Sequence, residues 1–136
     1  MNSKFNDVSF GMAQEDNILP LIKEYWKDEP NIIKTKDKYC IYDFISDNGT
    51  TWELKSRRNH KDKYPTTIIP CHKLNNKSVN QYYIFNFVDG LYYIKYDIEL
   101  FKTFKVKPVK YERIGGNPNA VPHYEIPVDL LTEIKI

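Results

Sequence analysis

The stretch that decides the fold is YDFISDNGTTWELK, residues 42–55. Two runs rich in aromatic and β-branched residues flank Asp47-Asn48-Gly49 within it. Asn and Gly tolerate the positive φ that tight turns demand, and the flanking residues favour extended backbone. The stretch therefore predicts two short antiparallel strands joined by a tight turn.

The length of the turn decides which side chains share a face. A three-residue loop would pair Phe44 with Trp52 and Asp43 with Glu53, which places both acids on one side of the sheet. Side chains alternate along a strand, so Lys55 would lie beside them. A two-residue turn would shift the pairing by one and send Asp43 to the apolar face, which is costly for an unpaired acid. We therefore predict the three-residue loop.

Two carboxylates and an amine in this arrangement suit phosphodiester hydrolysis. The oxygens of Asp43 and Glu53 are hard ligands of the kind that magnesium prefers, and manganese can substitute for it. A bound metal would polarise the phosphate and lower the pKa of a water, while the Lys55 ammonium would position that water or stabilise transition-state charge. The alternative is a solvated strand face, in which these groups have no chemical role.

Asp43 followed by Glu53-Leu54-Lys55 resembles the catalytic motif of the PD-(D/E)xK nuclease superfamily, which includes restriction endonucleases, phage exonucleases and Holliday-junction resolvases. Tyr42 stands where the name of the motif has proline. The resemblance covers mainly residues 10–75 and is to small viral or phage nucleases. It implies a restriction-endonuclease-like α+β fold, with a helix, an antiparallel meander of three strands, a second helix and a further strand. It also implies magnesium-dependent cleavage of DNA.

The superfamily often adds an acid from the first helix, and Glu15 stands at a fitting place for a third metal ligand. Ile18, Ile22 and Trp26 recur at helical spacing on the same stripe as Glu15. Pro20 leaves two alternatives, because an interior proline either kinks a helix or marks its first turn. In the second case the helix starts near residue 16 and Glu15 belongs to a preceding loop, as an exposed acid.

A basic segment follows the motif. Residues 53–88 hold seven basic and two acidic residues, so positive charge concentrates beside the proposed site. Arg57, Arg58, Lys61 and Lys63 are the predicted DNA contacts, with a solvated loop as the alternative. A third strand is predicted at residues 66–69. Lys73 resembles a further superfamily lysine that touches the phosphate or the attacking water, and its alternative is an ordinary surface lysine.

The whole chain has 136 residues and a net charge of +2, which predicts a single nuclease-like domain, 1–136. No apolar run suits a bilayer or a secretory signal, so the sequence predicts an intracellular protein without membrane contact. The second half reads as sheet, with a hairpin over 81–96, a short helix over 97–104 and a terminal helix after Pro127. The histidines and cysteines lack the spacing of a zinc site.

Three functions follow from these patterns. The first is a magnesium-dependent DNA endonuclease, for which a homodimer is the natural form if the product is a double-strand break. The second is a non-catalytic nucleic-acid-binding module or subunit on the same fold. The third is a compact α+β interaction domain without a nucleic-acid role, which would show no salt-sensitive affinity for DNA.

Overall fold

The structure is a computed structural model that describes residues 3–35, 42–71, 80–110 and 120–135, with the backbone alone for residues 3–13. Short turns of 3-10 helix lie at Lys61–Lys63 and Val128–Leu130. The other elements, in chain order, are α1 (Ser3–Tyr25), β1 (Ile33–Lys34), β2 (Phe44–Ile45), β3 (Thr51–Ser56), β4 (Thr66–Pro70), β5 (Gln81–Phe87), β6 (Gly90–Lys95), α2 (Ile98–Phe101), β7 (Lys105–Val109), β8 (Val121–Pro127) and β9 (Thr132–Glu133).

The strands form two sheets. The larger has six strands in the order β1-β2-β3-β5-β6-β9, and the smaller has three in the order β4-β8-β7. Strands β3 and β5 are parallel, while the other paired strands are antiparallel. The larger sheet is therefore mixed, and the α+β class predicted from the sequence is confirmed.

The predicted hairpin forms with the three-residue loop. Phe44 pairs with Trp52, and the N–H of Ser46 donates to the carbonyl oxygen of Thr50 at 3.0 Å. Gly49 adopts a φ of 84°, a left-handed conformation that costs an L-residue with a Cβ more than it costs glycine. The choice of turn residues thus sets the register of β2 against β3.

The predicted third strand forms, but it does not join the hairpin. Strand β4 pairs with β8 in the smaller sheet, and the meander of the larger sheet is β1-β2-β3 instead. The other neighbour of β3 is β5, the aromatic and β-branched run, and the long connection between them permits the parallel pairing. Residues 72–79, where the resemblance implies a second helix, lie outside the described part of the chain.

The prediction of a terminal helix is wrong. A 3-10 turn at Val128–Leu130 leads into β9, which pairs with β6. Leu131 and Ile134 are both buried, and their three-residue spacing also fits a helix face. A short apolar pattern of this kind does not distinguish a helix from a turn followed by a strand.

Helix α1 runs unbroken past Pro20 and includes Glu15, which decides between the two alternatives left by the sequence. Ile18 and Ile22 are buried one and two turns after Glu15, so the helix packs its apolar stripe on the larger sheet while Glu15 extends the same stripe. No helix in the described residues is both long enough and apolar enough to cross a membrane.

The two faces of the larger sheet belong to different apolar clusters. Trp52 and Leu54 of β3 pack with the α1 side chains. Tyr83 and Phe85 of β5 pack with side chains of the smaller sheet, including Ile126. Since in-register neighbours share a face, Glu53, which pairs with Tyr83, turns toward the smaller sheet.

Candidate metal and catalytic site

Asp43 lies in a bend directly before β2 and is fixed by two bonds to β3. Its N–H donates to the carbonyl oxygen of Trp52 at 2.9 Å, and its Oδ2 accepts from the Leu54 N–H at 2.7 Å. The ladder of paired residues ends at Phe44 and Trp52, so Asp43 and Glu53 do not form the expected ladder pair. The Asp43 carboxylate instead takes a backbone donor of β3.

Glu15 reaches Asp43 from the helix. The two carboxyl groups hydrogen-bond, and the pKa of Glu15 rises to about 7 because of burial, the bond to Asp43 and the negative charge of Asp43. The ammonium of Lys34 acts in the opposite direction and favours the ionised form of Glu15. The helix and the bend thus hold the two acids together, and the role of Glu15 as a metal ligand stays a prediction.

Lys34 of β1 is a member of this cluster that the sequence did not indicate. Its Nζ lies 3.3 Å from Glu15 Oε2 and 3.0 Å from Asp16 Oδ1. The bond to Asp16, together with the attraction of Glu15, raises the pKa of Lys34. In a chain rich in lysine, no local pattern distinguishes Lys34 from the other surface lysines, because only the β1–β2 pairing brings it to the helix.

Glu53 and Lys55 form a second charged pair. Lys55 Nζ lies 3.0 Å from Glu53 Oε1, and the side chains are 24% and 6% exposed, respectively. Burial and the charge of Glu53 both raise the pKa of Tyr83 on the neighbouring strand. The hydroxyl oxygen of Tyr83 also accepts a bond from Gln81 Nε2 at 3.0 Å. Glu53 is therefore a buried carboxylate held beside a cation, which limits the desolvation cost of its charge.

The charged side chains lie on different sides of β3. Glu15 comes from the helix that packs on one face of the sheet, whereas Glu53 turns toward the smaller sheet, and Asp43 is anchored between them on the backbone of β3. Within the described residues, no three acids, histidines or cysteines are grouped to hold a metal ion. Lys73, the further catalytic lysine suggested by the sequence, lies outside the described residues.

The oxygen atoms of Glu15 and Asp43 are the kind of donor that a hard cation takes. Glu15 and Asp43 offer carboxylate oxygens at hydrogen-bonding distance from each other, and such oxygens are the ligands that magnesium takes in proteins. A divalent ion would also compensate the repulsion that otherwise retains a proton on Glu15. The Glu15–Asp43 pair therefore offers the donor atoms that a hard cation takes, and a metal at this pair stays a prediction.

The predicted DNA contacts occupy the end of β3 and the loop after it. Arg57 donates from Nη2 to the carbonyl oxygen of Ile68 at 2.7 Å, which links β3 to β4. Lys61 and Lys63 lie in the 3-10 turn. Arg58 and Lys63 are exposed, whereas Lys61 is half-buried. These four residues therefore lie within the described part of the fold, and their role in DNA binding stays a prediction.

Comparison with known proteins does not extend the resemblance beyond the motif. The residues that carry it are Asp43 and Glu53-Leu54-Lys55, which the fold places on β3 and in the bend beside it. No protein-family model, no curated protein and no solved structure matches this chain.

Proposed function

We propose that this chain is a magnesium-dependent DNA endonuclease that hydrolyses phosphodiester bonds. Asp43, Glu53 and Glu15 are the metal ligands, and Lys55 assists the attacking water. The observation that carries the proposal is the contact between the carboxyl groups of Glu15 and Asp43, with Asp43 anchored on β3 at the residue between Glu53 and Lys55.

The contact between two acids has an electrostatic cost that a metal would remove. Two carboxylates in contact cannot both ionise cheaply, so a proton or a cation must lie between them. Near neutral pH the raised pKa of Glu15 leaves part of the molecules with that proton. A site of this kind exchanges a proton for a divalent cation, as metal sites do when their ligands deprotonate.

The order of elements also supports the proposal. Helix α1 precedes the antiparallel strands β1, β2 and β3, and β5 lies parallel beside β3. The resemblance implies a helix, an antiparallel meander of three strands, a second helix and a further strand. The place of the second helix, residues 72–79, lies outside the described residues. Asp43 lies in the bend before β2, and Glu53, Leu54 and Lys55 lie on β3.

We assign a different role to each residue of the site according to its position. A bound magnesium ion would polarise the scissile phosphate and would supply a water of lowered pKa. Asp43 and Glu15 would hold the ion from the bend and the helix, and Glu53 would contribute from the side of β3 that turns toward the smaller sheet. The Lys55 ammonium, 3.0 Å from Glu53, orients the water or stabilises negative charge as it develops on the phosphate.

The test is the conversion of supercoiled plasmid to nicked or linear DNA, with a branched junction as a second substrate, in magnesium or in EDTA. Asp43→Asn retains an oxygen that can accept from the Leu54 N–H but removes the charge. Because the loss of even an outer-shell partner of a metal costs about 10- to 100-fold, we expect this variant to lose at least about 100-fold in rate. Glu24→Gln, an exposed change on the same helix, is the matched control and should cleave normally.

The DNA products of this assay distinguish a homodimer from an enzyme with a single active site. Linear DNA that appears without a nicked intermediate requires paired active sites and hence a homodimer, whereas nicked DNA alone indicates a single site. DNA binding without cleavage of either substrate in magnesium would reject the endonuclease in favour of the non-catalytic module. Equal rates for Asp43→Asn and the wild type would reject the proposed site.

A further inference from the structure

A basic cavity lies at the far end of β3 from the hairpin turn. Its volume is about 390 Å³, and it is lined by side chains of the β3 end, the following loop, β4 and β7. Its polar lining includes Arg57, Asn59, Lys61, Tyr64, Thr67 and Lys107. The described residues that line it thus include three cations and no carboxylate, although two acids pair with its lysines from outside.

An acid outside the lining pairs with each of the two lysines. Lys61 Nζ lies 3.2 Å from the Oδ1 of Asp62, a side chain that is 82% exposed. Lys107, itself half-exposed, lies 3.4 Å from Glu125 Oε1. The other members of the two pairs are less exposed, with Lys61 at 16% and Glu125 at 23%. A phosphate that meets both lysines would take the place of these acids as the anionic partner.

Backbone N–H groups donate the hydrogen bonds that hold the wall of the cavity. The N–H of Lys61 donates to Asp89 Oδ1 at 2.9 Å, and the N–H of Val88 donates to the carbonyl oxygen of Asn59 at 3.1 Å. Farther along the loop, the N–H of Val128 donates to the carbonyl oxygen of Pro65 at 3.1 Å. A site fixed in this way loses little conformational entropy when it binds.

Tyr64 adds an aromatic surface to the charges. Its side chain is 54% exposed, although its neighbours in the lining include the buried side chains of Phe87 and Val128. Lys63 Nζ lies 5.5 Å from the centre of the Tyr64 ring, so a further charge accompanies the ring. Cations combined with an exposed ring are the means by which proteins bind single-stranded nucleic acid, with the base stacked and the phosphates paired.

The geometry points to a subsite for one unpaired nucleotide of DNA, with its base on Tyr64 and its phosphates at Lys61 and Lys107. This assignment rests on the proposed nuclease function and defines its substrate as DNA with a single-stranded or splayed segment. A base enters a concave site only after it leaves the stack, and this costs least where it is already unpaired. The cavity also falls within the range of about 300–1,000 Å³ that is typical of small-ligand sites.

The strand itself connects this subsite to the proposed site of cleavage. Arg57, at the cavity, follows Glu53 by four residues along β3 and its continuation, which spans about 13 Å of extended chain. A strand of DNA bound in the cavity would therefore pass the charged groups a few nucleotides away. The subsite would thus bind the DNA strand that is cut, and the proposed metal site at Asp43 and Glu53 would cleave it.

The test measures binding in EDTA, so that it is independent of cleavage. Fluorescence anisotropy of a labelled oligonucleotide, single-stranded or as a duplex of the same sequence, gives the affinity and its salt dependence. We expect tighter binding of the single strand. Tyr64→Ala should weaken it by at least about fivefold, as expected for the loss of a stacked base, whereas Tyr64→Phe should retain it.

Lys107 is the sharper probe, because it comes from β7 and not from the basic segment that the sequence indicated. Lys107→Gln should reduce the slope of log affinity against log salt by about 0.7, the value for one phosphate of a single strand. Lys105→Gln, on the same strand but outside the cavity lining, should leave that slope unchanged. Equal effects of the two substitutions would overturn the subsite, since general charge would then explain binding.

The remaining outcomes are equally decisive. Equal affinity for the duplex and the single strand, or unchanged binding by Tyr64→Ala, would overturn the assignment. Displacement of the oligonucleotide by free mononucleotide at similar concentration would also overturn it, because the ligand would then be a nucleotide and not a DNA strand. Binding as expected but without cleavage in magnesium would keep the subsite and reject the nuclease, and cleavage without these binding effects would do the reverse.

Discussion

At the scale of single residues, the pKa of Glu15 is the property of the site that is most open to measurement. Its carboxyl group is half-buried against Asp43 and titrates at about 7 instead of 4.5. The resemblance offered Glu15 as a candidate ligand from a helix, with a loop position as the alternative. The raised pKa of Glu15 comes from burial and from Asp43, and Lys34, which no local pattern shows, acts against it. The sequence thus suggests that Glu15 lies near Asp43, and the fold determines the pKa of Glu15.

A first prediction concerns stability against pH. Because the folded protein holds the Glu15 proton more tightly than the unfolded chain, the contribution of Glu15 is fully present below pH 4.5 and is lost as the pH rises to about 7. Urea denaturation at intervals between pH 4 and pH 8 should show this fall in wild type relative to Glu15→Gln. Glu24→Gln should follow the wild type, and a constant difference between wild type and Glu15→Gln would contradict the assignment.

A second prediction concerns the metal. Magnesium that binds Glu15 and Asp43 stabilises the folded state by mass action, so at pH 8 it should raise the melting temperature of the wild type. Glu15→Gln should show a smaller rise, because one ligand charge is gone. At pH 6, where Glu15 holds a proton in most molecules, the rise in wild type should also shrink. An equal shift for both proteins at pH 8 would place the ion elsewhere.

At the scale of elements, the sequence predicted those elements that neighbouring residues determine. The β2–β3 hairpin, the β5–β6 hairpin and the short helix α2 all lie where turn residues and alternation indicated them. The partner of β4 and the parallel pairing of β3 with β5 could not be predicted in this way. Those contacts join distant residues, and several apolar runs compete for each strand.

The hairpin turn supplies a prediction at this scale. Gly49 has a φ of 84°, and a Cβ in such a conformation costs about 1–2 kcal/mol. Gly49→Ala should therefore lower the free energy of unfolding by about that amount, as measured by urea denaturation. Gly49→Asn should cost less, because Asn tolerates this conformation better than other residues with a side chain. Equal losses would mean that strain at the turn is not the cause.

At the scale of the whole molecule, the two sheets share one apolar cluster. Tyr83 and Phe85 of the larger sheet and Ile69 and Ile126 of the smaller one belong to it, and each is fully buried. Arg57 adds a polar link from the end of β3 to β4. The sequence predicted strands for both halves of the chain but gave no sign that they form separate sheets packed on each other.

Cooperativity tests this arrangement. Ile126→Ala creates a cavity between the sheets and should lower the free energy of unfolding by about 2–5 kcal/mol. Trp52 belongs to the larger sheet, so its fluorescence should change together with the far-ultraviolet circular dichroism in a single transition. A tryptophan transition that Ile126→Ala leaves unmoved would show that the larger sheet unfolds independently of the smaller one.

The parallel pairing of β3 with β5 also has a consequence for timing. Glu53 has Tyr83 as its neighbour on β5, thirty residues later in the chain. During synthesis the hairpin can form as soon as it emerges, but β3 has no neighbour on its other side until β5 follows. Pairings this far apart in sequence form slowly, because loop closure must come first. The side of β3 that faces β5, including the position of Tyr83 beside Glu53, is therefore completed only after β5 has been made.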